Sequence, residues 1–265
     1  MANRDITIQD KLTGDNLYPV TRATNVIMND NTNVETILSE TNARSITNTN
    51  NISQLSNSNL LINGDFRVNQ RGQNSYESTN AYTVDRWRNS GCWAYVNEDK
   101  SVTLTHFGGW NYYYQIIEDF EKFKGKTVTL SVKVKSISYT DGTVNPRVAI
   151  NDGVNTTLSE LIPNGASGVF SVTKTISESA TTLIARPIQN NMAGSVGDLT
   201  VTIEWAKLEI GSVATAFSPR PYAEELAMCQ RFYQVIKNIS GNTNLNLALA
   251  RNATNGRIFA NLTQS

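Results

Sequence analysis

The chain of 265 residues carries 23 Lys and Arg against 23 Asp and Glu, a formal net charge of zero at pH 7. Such a balance gives no basic surface to release counterions from nucleic acid or to hold an anionic membrane, so neither partner is expected. Charged residues make up 17%, below the ~25% of an average globular chain, and Asn, Thr and Ser fill the difference.

No basic-then-apolar leader opens the chain, and no apolar run approaches the ~20 residues of a membrane span. No membrane insertion is expected, and synthesis is expected in a cytoplasm, with any exit bypassing the secretion route. Cys92 and Cys229 lie far apart in segments of different kind. One disulfide is compatible with that spacing, but the usual burial of cysteine favours two free thiols.

Residues 5–20 alternate loosely around a Thr13-Gly14-Asp15 turn, the pattern of a small hairpin. Alone it cannot form a core and needs another chain. A short apolar strand is expected over 21–28. Residues 31–59 contain no Gly, Pro or aromatic residue. Asn33 can cap a helix there, with Thr36 and Glu40 in its first turns. A heptad frame puts Val34, Thr41, Asn48 and Leu55 on one line, and Leu38, Ser45, Ile52 and Asn59 on the other. Half of that seam is polar, which suits a trimeric stalk better than a dimeric zipper. The alternative is a disordered polar linker; Ile37, Ile46 and the lack of breakers favour the helix.

The stretch Asn59 to Gly72, NLLINGDFRVNQRG, marks the entry into a β-domain. Asn63-Gly64-Asp65 reads as a turn, and Phe66 and Val68 alternate with polar neighbours as in a half-buried strand. Strands are expected over Tyr82–Val84, Cys92–Val96, Val102–Phe107, Tyr112–Glu118, Thr127–Val134, Val144–Ile150, Gly168–Ile176, Thr182–Ile188 and Leu199–Ile210. Only Ile117–Phe123 leaves room for a short helix. Turn signals between the strands point to a two-sheet antiparallel sandwich, with Trp87 and Trp205 in strands and in its core. Pro219-Arg220-Pro221 stops the strands. Tyr222–Val235 has helical spacing, with Leu226, Cys229 and Phe232 or Tyr233 on its apolar side. Leu245–Leu249 and Arg257–Leu262 read as strands joined by an Asn255-Gly256 turn.

Chemistry-bearing clusters are absent. His106 is the one histidine, Glu118-Asp119 and Glu224-Glu225 are adjacent pairs whose side chains diverge, and neither zinc spacing nor a phosphate loop occurs. No catalytic residue, metal site or cofactor is expected, so the chain is not read as an enzyme. The positive signal is aromatic: Trp93, Trp110, Tyr112, Tyr113 and Tyr114 fall close together and could stack on the apolar faces of sugars. The competing possibility is that alternate tyrosines are core, with Tyr112 and Tyr114 on one face and Tyr113 on the other.

Three segments together resemble tail-fibre and receptor-binding proteins of tailed bacteriophages: NLLINGDFRVNQRG at 59–72, YTVDRW at 82–87, and EWAKLEIGSVATAFSPRPYAEELAMCQRFY at 204–233. DNLYPVTRATNVIM at 15–28 is similar to the opening of such fibres. The resemblance implies a jelly-roll sandwich like a carbohydrate-binding module, carried on a homotrimeric fibre outside the virion and assembled in the host cytoplasm. Its implied partners are copies of itself, another virion protein through the N-terminal segment, and a host surface glycan. Tail attachment ranks first, a head fibre of the same build or a stand-alone glycan-binding module second. Carbohydrate modules of this shape often follow Asn-Gly-Asp-Phe with Glu and bind calcium; Arg67 stands at that place here, which leaves Glu209 without its companion. The expected organisation is an attachment segment at 1–30, a helical stalk at 31–59, the sandwich at 60–218, and a helix with the start of a further β region at 219–265.

Overall fold

Asn33 opens the first long element. Its side-chain oxygen accepts the Thr36 amide at 2.7 Å, the expected N-cap, and α1 runs from Val34 to Gln54. The computed structural model describes residues 8–9, 16–17, 33–54, 57–140, 142–191, 198–236 and 247–250. The chain divides into two units, Met1–Gln54 and Leu55–Ser265. The first holds α1 and a two-stranded antiparallel pair, β1 (Ile8–Gln9) and β2 (Asn16–Leu17). The strand expected at 21–28 lies outside the described residues. Among the described residues, no helix is long and apolar enough to cross a membrane.

The second unit is mainly β. Its strands are β3 (Ser75–Tyr76), β4 (Arg88–Ser90), β5 (Trp93–Val96), β6 (Val102–Thr105), β7 (Tyr112–Ile116), β8 (Thr127–Ser138), β9 (Pro146–Asn151), β10 (Thr156–Leu158), β11 (Gly168–Thr175), β12 (Ile184–Asn190) and β13 (Thr200–Ile210). They form a five-stranded sheet ordered β10-β9-β12-β7-β4 and a six-stranded sheet ordered β11-β8-β13-β6-β5-β3. All pairings are antiparallel. From β6 to β13 the chain crosses repeatedly between the sheets, the connectivity of a jelly-roll sandwich.

Apolar alternation builds the core. Val128, Leu130, Val132 and Val134 of β8 and Val201, Ile203 and Leu208 of β13 are buried against Val148 and Ile150 of β9 and Ile188 of β12. The aromatic centre is Phe66, Trp87 and Tyr113, all fully buried. Trp87 stacks on Tyr113 at 5.2 Å and meets Phe66 edge-on at 5.2 Å. The polar atoms of this aromatic centre are satisfied: Trp87 Nε1 donates to the Asn63 carbonyl at 2.7 Å, and the Tyr113 hydroxyl meets Thr83 Oγ1 at 2.8 Å.

Several local expectations are corrected. Residues 66–68 are a loop, with Asn63 and Phe66 at φ of 59° and 60°. Asn63 holds it: its amide donates to the carbonyls of Val68 and Asp85, and its side-chain oxygen accepts the Val68 amide. Gly64 is required there, because a Cβ would lie 2.6 Å from the Ala206 carbonyl. Tyr82–Val84 makes only an isolated bridge, Tyr82 to Arg88. Trp205 follows a register shift in β13 that turns it outward, where it stacks on Phe217 at 4.9 Å instead of entering the core. The short helix before β8 is a single 3-10 turn, Phe120–Phe123.

The C-terminal helix α2 spans Tyr222–Gln230, ending before the expected Val235. The Tyr-Gln-Val-Ile run that follows, with aromatic and β-branched residues, becomes β14 (Tyr233–Ile236), paired with β15 (Leu247–Ala250). The expected partner strand at 257–262 lies outside the described residues. Cys229 of α2 packs with Ile62 and Val68, joined by Leu226, Met228 and Phe232. Both cysteines are free and buried.

Candidate functional site

Alternation along β7 decides which tyrosines face outward. Tyr113 points into the core and leaves no ring face to a ligand, so Tyr112 and Tyr114 stand on the outer face of the five-stranded sheet. Their rings meet edge-on at 5.1 Å. Register brings β4 alongside, with Arg88 opposite Tyr114 and Ser90 opposite Tyr112. On the other side, β12 carries a bulge between Ala185 and Ile188, both core residues. Arg186 follows Ala185 in ordinary alternation and faces outward, and the bulge after it returns Ile188 to the core. The Arg186 guanidinium lies 4.0 Å from the centre of the Tyr112 ring.

The arrangement continues as a stripe. Arg88 sits 5.5 Å from the Tyr114 ring and 5.0 Å from that of Tyr82. Arg71 then lies 5.5 Å from Tyr82 and 4.1 Å from Tyr233. Guanidinium and phenol thus alternate from Tyr114 to Tyr233, each contact a cation–π pair, and the Tyr112–Tyr114 ring pair joins this run to Arg186. Tyr82 is 48% exposed, whereas Tyr114 is 8% exposed beneath its neighbours. Burial raises the Tyr114 phenol above its ordinary range, against the opposing pull of Arg88, so it stays a neutral hydroxyl.

The guanidiniums are held by neutral groups. Arg186 donates to Gln189 Oε1 at 2.9 Å and Arg88 to the Asn80 carbonyl at 3.0 Å. The Nε atoms of both are buried without a hydrogen-bond partner. Neither forms an ion pair among the described residues. An exposed phenol ring can take the apolar face of a sugar, and guanidinium forks can take its oxygens.

The remaining residues singled out from sequence lie elsewhere. Trp93 is on the outer face of the six-stranded sheet, stacked on His106 at 4.2 Å. Trp110 is 55% exposed on the β6–β7 connection at φ 61°. The five aromatics therefore divide among two sheet faces, a loop and the core. Arg88, Arg186 and Tyr82 were not singled out; the available signal was Arg186 as the lone charge in β12.

Part of the other outer face is closed upon itself. Lys207 and Glu209 of β13 are fully buried beneath the segment that follows β13. Lys207 Nζ lies 3.3 Å from Glu209 Oε2 and donates to Thr215 Oγ1 at 2.6 Å and the Ala216 carbonyl at 2.8 Å. Glu209 also accepts the Thr215 amide at 2.8 Å. An ammonium already occupies the oxygen cage around Glu209, so these residues do not fit a calcium ion. No group of three or more potential metal-ligating side chains occurs among the described residues. Glu118 pairs with Arg231 at 3.2 Å, beside a recess of about 160 Å³ that also takes in Arg86 and Asp119.

No protein-family model matches the chain, and no curated protein sequence matches it. Solved structures do. The CBM22-1–GH10 modules of Clostridium thermocellum xylanase 10B, complexed with xylohexaose, align over 62% of this chain at 14% identity and a TM-score of 0.41. This chain spans 30% of that protein's length. A xylan-binding domain of CBM 22 aligns over 54% of this chain and 96% of its own, at 12% identity and a TM-score of 0.38. Tailspike protein 4 of bacteriophage CBA120, through its enzymatically active domain, aligns over 58% of this chain and 21% of its own, at 15% identity and a TM-score of 0.34. The sandwich assignment rests on the strand order and register within this chain.

Proposed function

We propose that this chain is a non-catalytic adhesion protein of a tailed-bacteriophage fibre, whose sandwich takes a host surface glycan on the outer face of its five-stranded sheet. The observation that carries the reading is the Arg–Tyr stripe from Arg186 to Arg71, which offers planar π surface and multidentate donors side by side. In this reading Tyr82 supplies the accessible stacking face, and Tyr112, Arg88 and Arg186 frame it.

The fibre part of the proposal draws support from α1. Its 21 residues are rich in Asn, Ser and Thr, poor helix formers that leave a lone helix marginal in water. Leu38 and Ile46 are 55% and 63% exposed. Copies of the same helix packed as a trimeric stalk would cover them, and the small β1–β2 pair would complete itself on another virion protein. A tail position comes first and a head fibre second. A stand-alone glycan-binding module is the second reading, favoured by a sandwich that fills its own core without α1.

Two measurements test the proposal. Sedimentation of the full chain should give a trimer; a monomer at micromolar concentration removes the fibre reading and leaves the stand-alone module. Full chain applied to arrayed bacterial surface polysaccharides should bind at least one, and Tyr82→Ala should weaken that binding about tenfold, the ~1–1.5 kcal/mol of one aromatic contact. Undiminished binding by Tyr82→Ala would move the site to another face.

A further inference from the structure

The sheet that carries the stripe has an unusual charge content. Its five strands read RNS, YYYQI, PRVAIN, TTL and IARPIQN, with three arginines and no acidic residue. All three arginines stand on the outer face. Arg147 precedes the core residue Val148 and lies opposite Gln189, the acceptor for Arg186. It donates to Asn145 Oδ1 at 2.8 Å and the Ser159 carbonyl at 2.6 Å. Arg147 and Arg186 therefore lie on adjacent strands of one face and Arg88 lies beyond β7, and none of them meets a carboxylate.

Elsewhere in the sandwich unit six cations have a carboxylate partner, while Arg71, Arg86, Lys100, Lys122, Lys124, Lys126 and Lys133 form no ion pair among the described residues. Arg67 pairs with Asp65, Lys135 with Asp99, Lys174 with Asp152, Lys207 with Glu209, Arg220 with Glu225 and Arg231 with Glu118. In a chain with equal numbers of acids and bases, a face of three unmatched guanidiniums is a local excess of positive charge. Low-dielectric walls of tyrosine strengthen its field at the surface.

We propose that the glycan taken by this face is anionic and carries carboxylate or phosphate groups at intervals along its chain. The inference rests on the glycan reading of the same face. Planar guanidinium forks match the two oxygens of a carboxylate or phosphate, and the intervening rings keep the forks apart and flat. A neutral sugar would leave the three cations without counter-charge. An acidic one supplies it at the point of contact.

The test uses the full chain and three polymers: polygalacturonate, its carboxyl-reduced neutral product, and poly(glycerol phosphate). Binding to at least one polyanion should exceed binding to the neutral polymer by about tenfold or more, and should fall as salt rises from ~50 to ~500 mM, where screening shortens to a few ångströms. The polyanion preferred identifies carboxylate or phosphate as the source of charge. Arg88→Gln/Arg186→Gln should lose that preference, and Lys135→Gln on the opposite face should keep it. Equal binding to the neutral and acidic polymers overturns this inference and leaves the glycan reading standing. Binding to none of the three overturns both. Equal binding to double-stranded DNA would reduce the effect to general attraction of polyanions and overturn it as well.

Discussion

The two outer faces of the sandwich solve the same problem in opposite ways. Each must place polar side chains on a sheet whose inner side is apolar. The six-stranded face turns its polar groups on one another: Thr127 meets Thr175 and Thr129 meets Thr173, both at 2.9 Å, and Lys207 is neutralised by Glu209 under a covering segment. The five-stranded face leaves its arginines on ring faces and neutral oxygens. A face whose hydrogen bonds and charges close internally has little left for a ligand, so the difference itself selects the candidate surface.

Removing the ammonium from the closed face should have the largest effect. Lys207→Met leaves Glu209 buried without its cation, a loss of about 3–5 kcal/mol by analogy with other broken buried pairs. Lys207→Met/Glu209→Met should recover part of it, because no lone charge remains. Urea unfolding of the single and double variants measures both. A single-variant loss under about 1 kcal/mol would mean that the face is not held by its internal pairing.

Acid should weaken the sandwich through Asp152, which follows β9 and pairs with Lys174 of β11. Burial raises its pKa, but amides of Asn155 and Ser177 and the Lys174 ammonium outweigh burial and hold the carboxyl below its ordinary range. A depressed folded pKa adds stability above the unfolded carboxylate range and loses it as pH falls through the folded value. Melting temperatures taken from pH 6 down to pH 2 should therefore fall, and Asp152→Asn should flatten that limb. An unchanged limb in the variant would remove Asp152 from the account.

What the sequence made legible follows the same division. Period-two alternation located β8 from Thr127, and the Asn33 cap located the start of α1, because both depend on neighbours within a few residues. The segments 59–72, 82–87 and 204–233 proved informative for a different reason: they meet in space. The Asn63 amide donates to Glu225 at 2.5 Å, Trp87 donates to Asn63, and Ala206 donates to Gly64. Arg220 donates to the carbonyls of Leu61 and Asn59. These contacts make them fold motifs, although Arg71, Tyr82 and Tyr233 of the stripe also fall within them. The pairing of Arg88 with Tyr114, and that of Arg186 with Tyr112, depends on which strands lie side by side and in what register, which is not written in local pattern. A register shift in β13 turned Trp205 out of the core.

On the open face, loss of an arginine should cost the fold little. Arg88→Gln and Arg186→Gln each give up ring contacts worth roughly 0.5–2 kcal/mol and strand no buried carboxylate. Chemical unfolding should place each variant within about 2 kcal/mol of the parent. A loss of several kcal/mol would make these arginines structural and would weaken the contrast from which the binding face was chosen.

The smallest change is the most discriminating control. Thr175→Val removes one exposed hydroxyl pair, keeps a β-branched side chain in β11, and should shift stability by no more than about 0.5 kcal/mol. Glycan binding should be untouched, since Thr175 lies on the face that satisfies itself. Suppose binding were lost while the melting temperature held. The rows of threonine hydroxyls would then be the recognition surface, and the guanidiniums across the sandwich would be surface packing. Measuring Thr175→Val beside Arg88→Gln/Arg186→Gln on the same polymer therefore separates a face that is merely polar from one that is left unsatisfied for a partner.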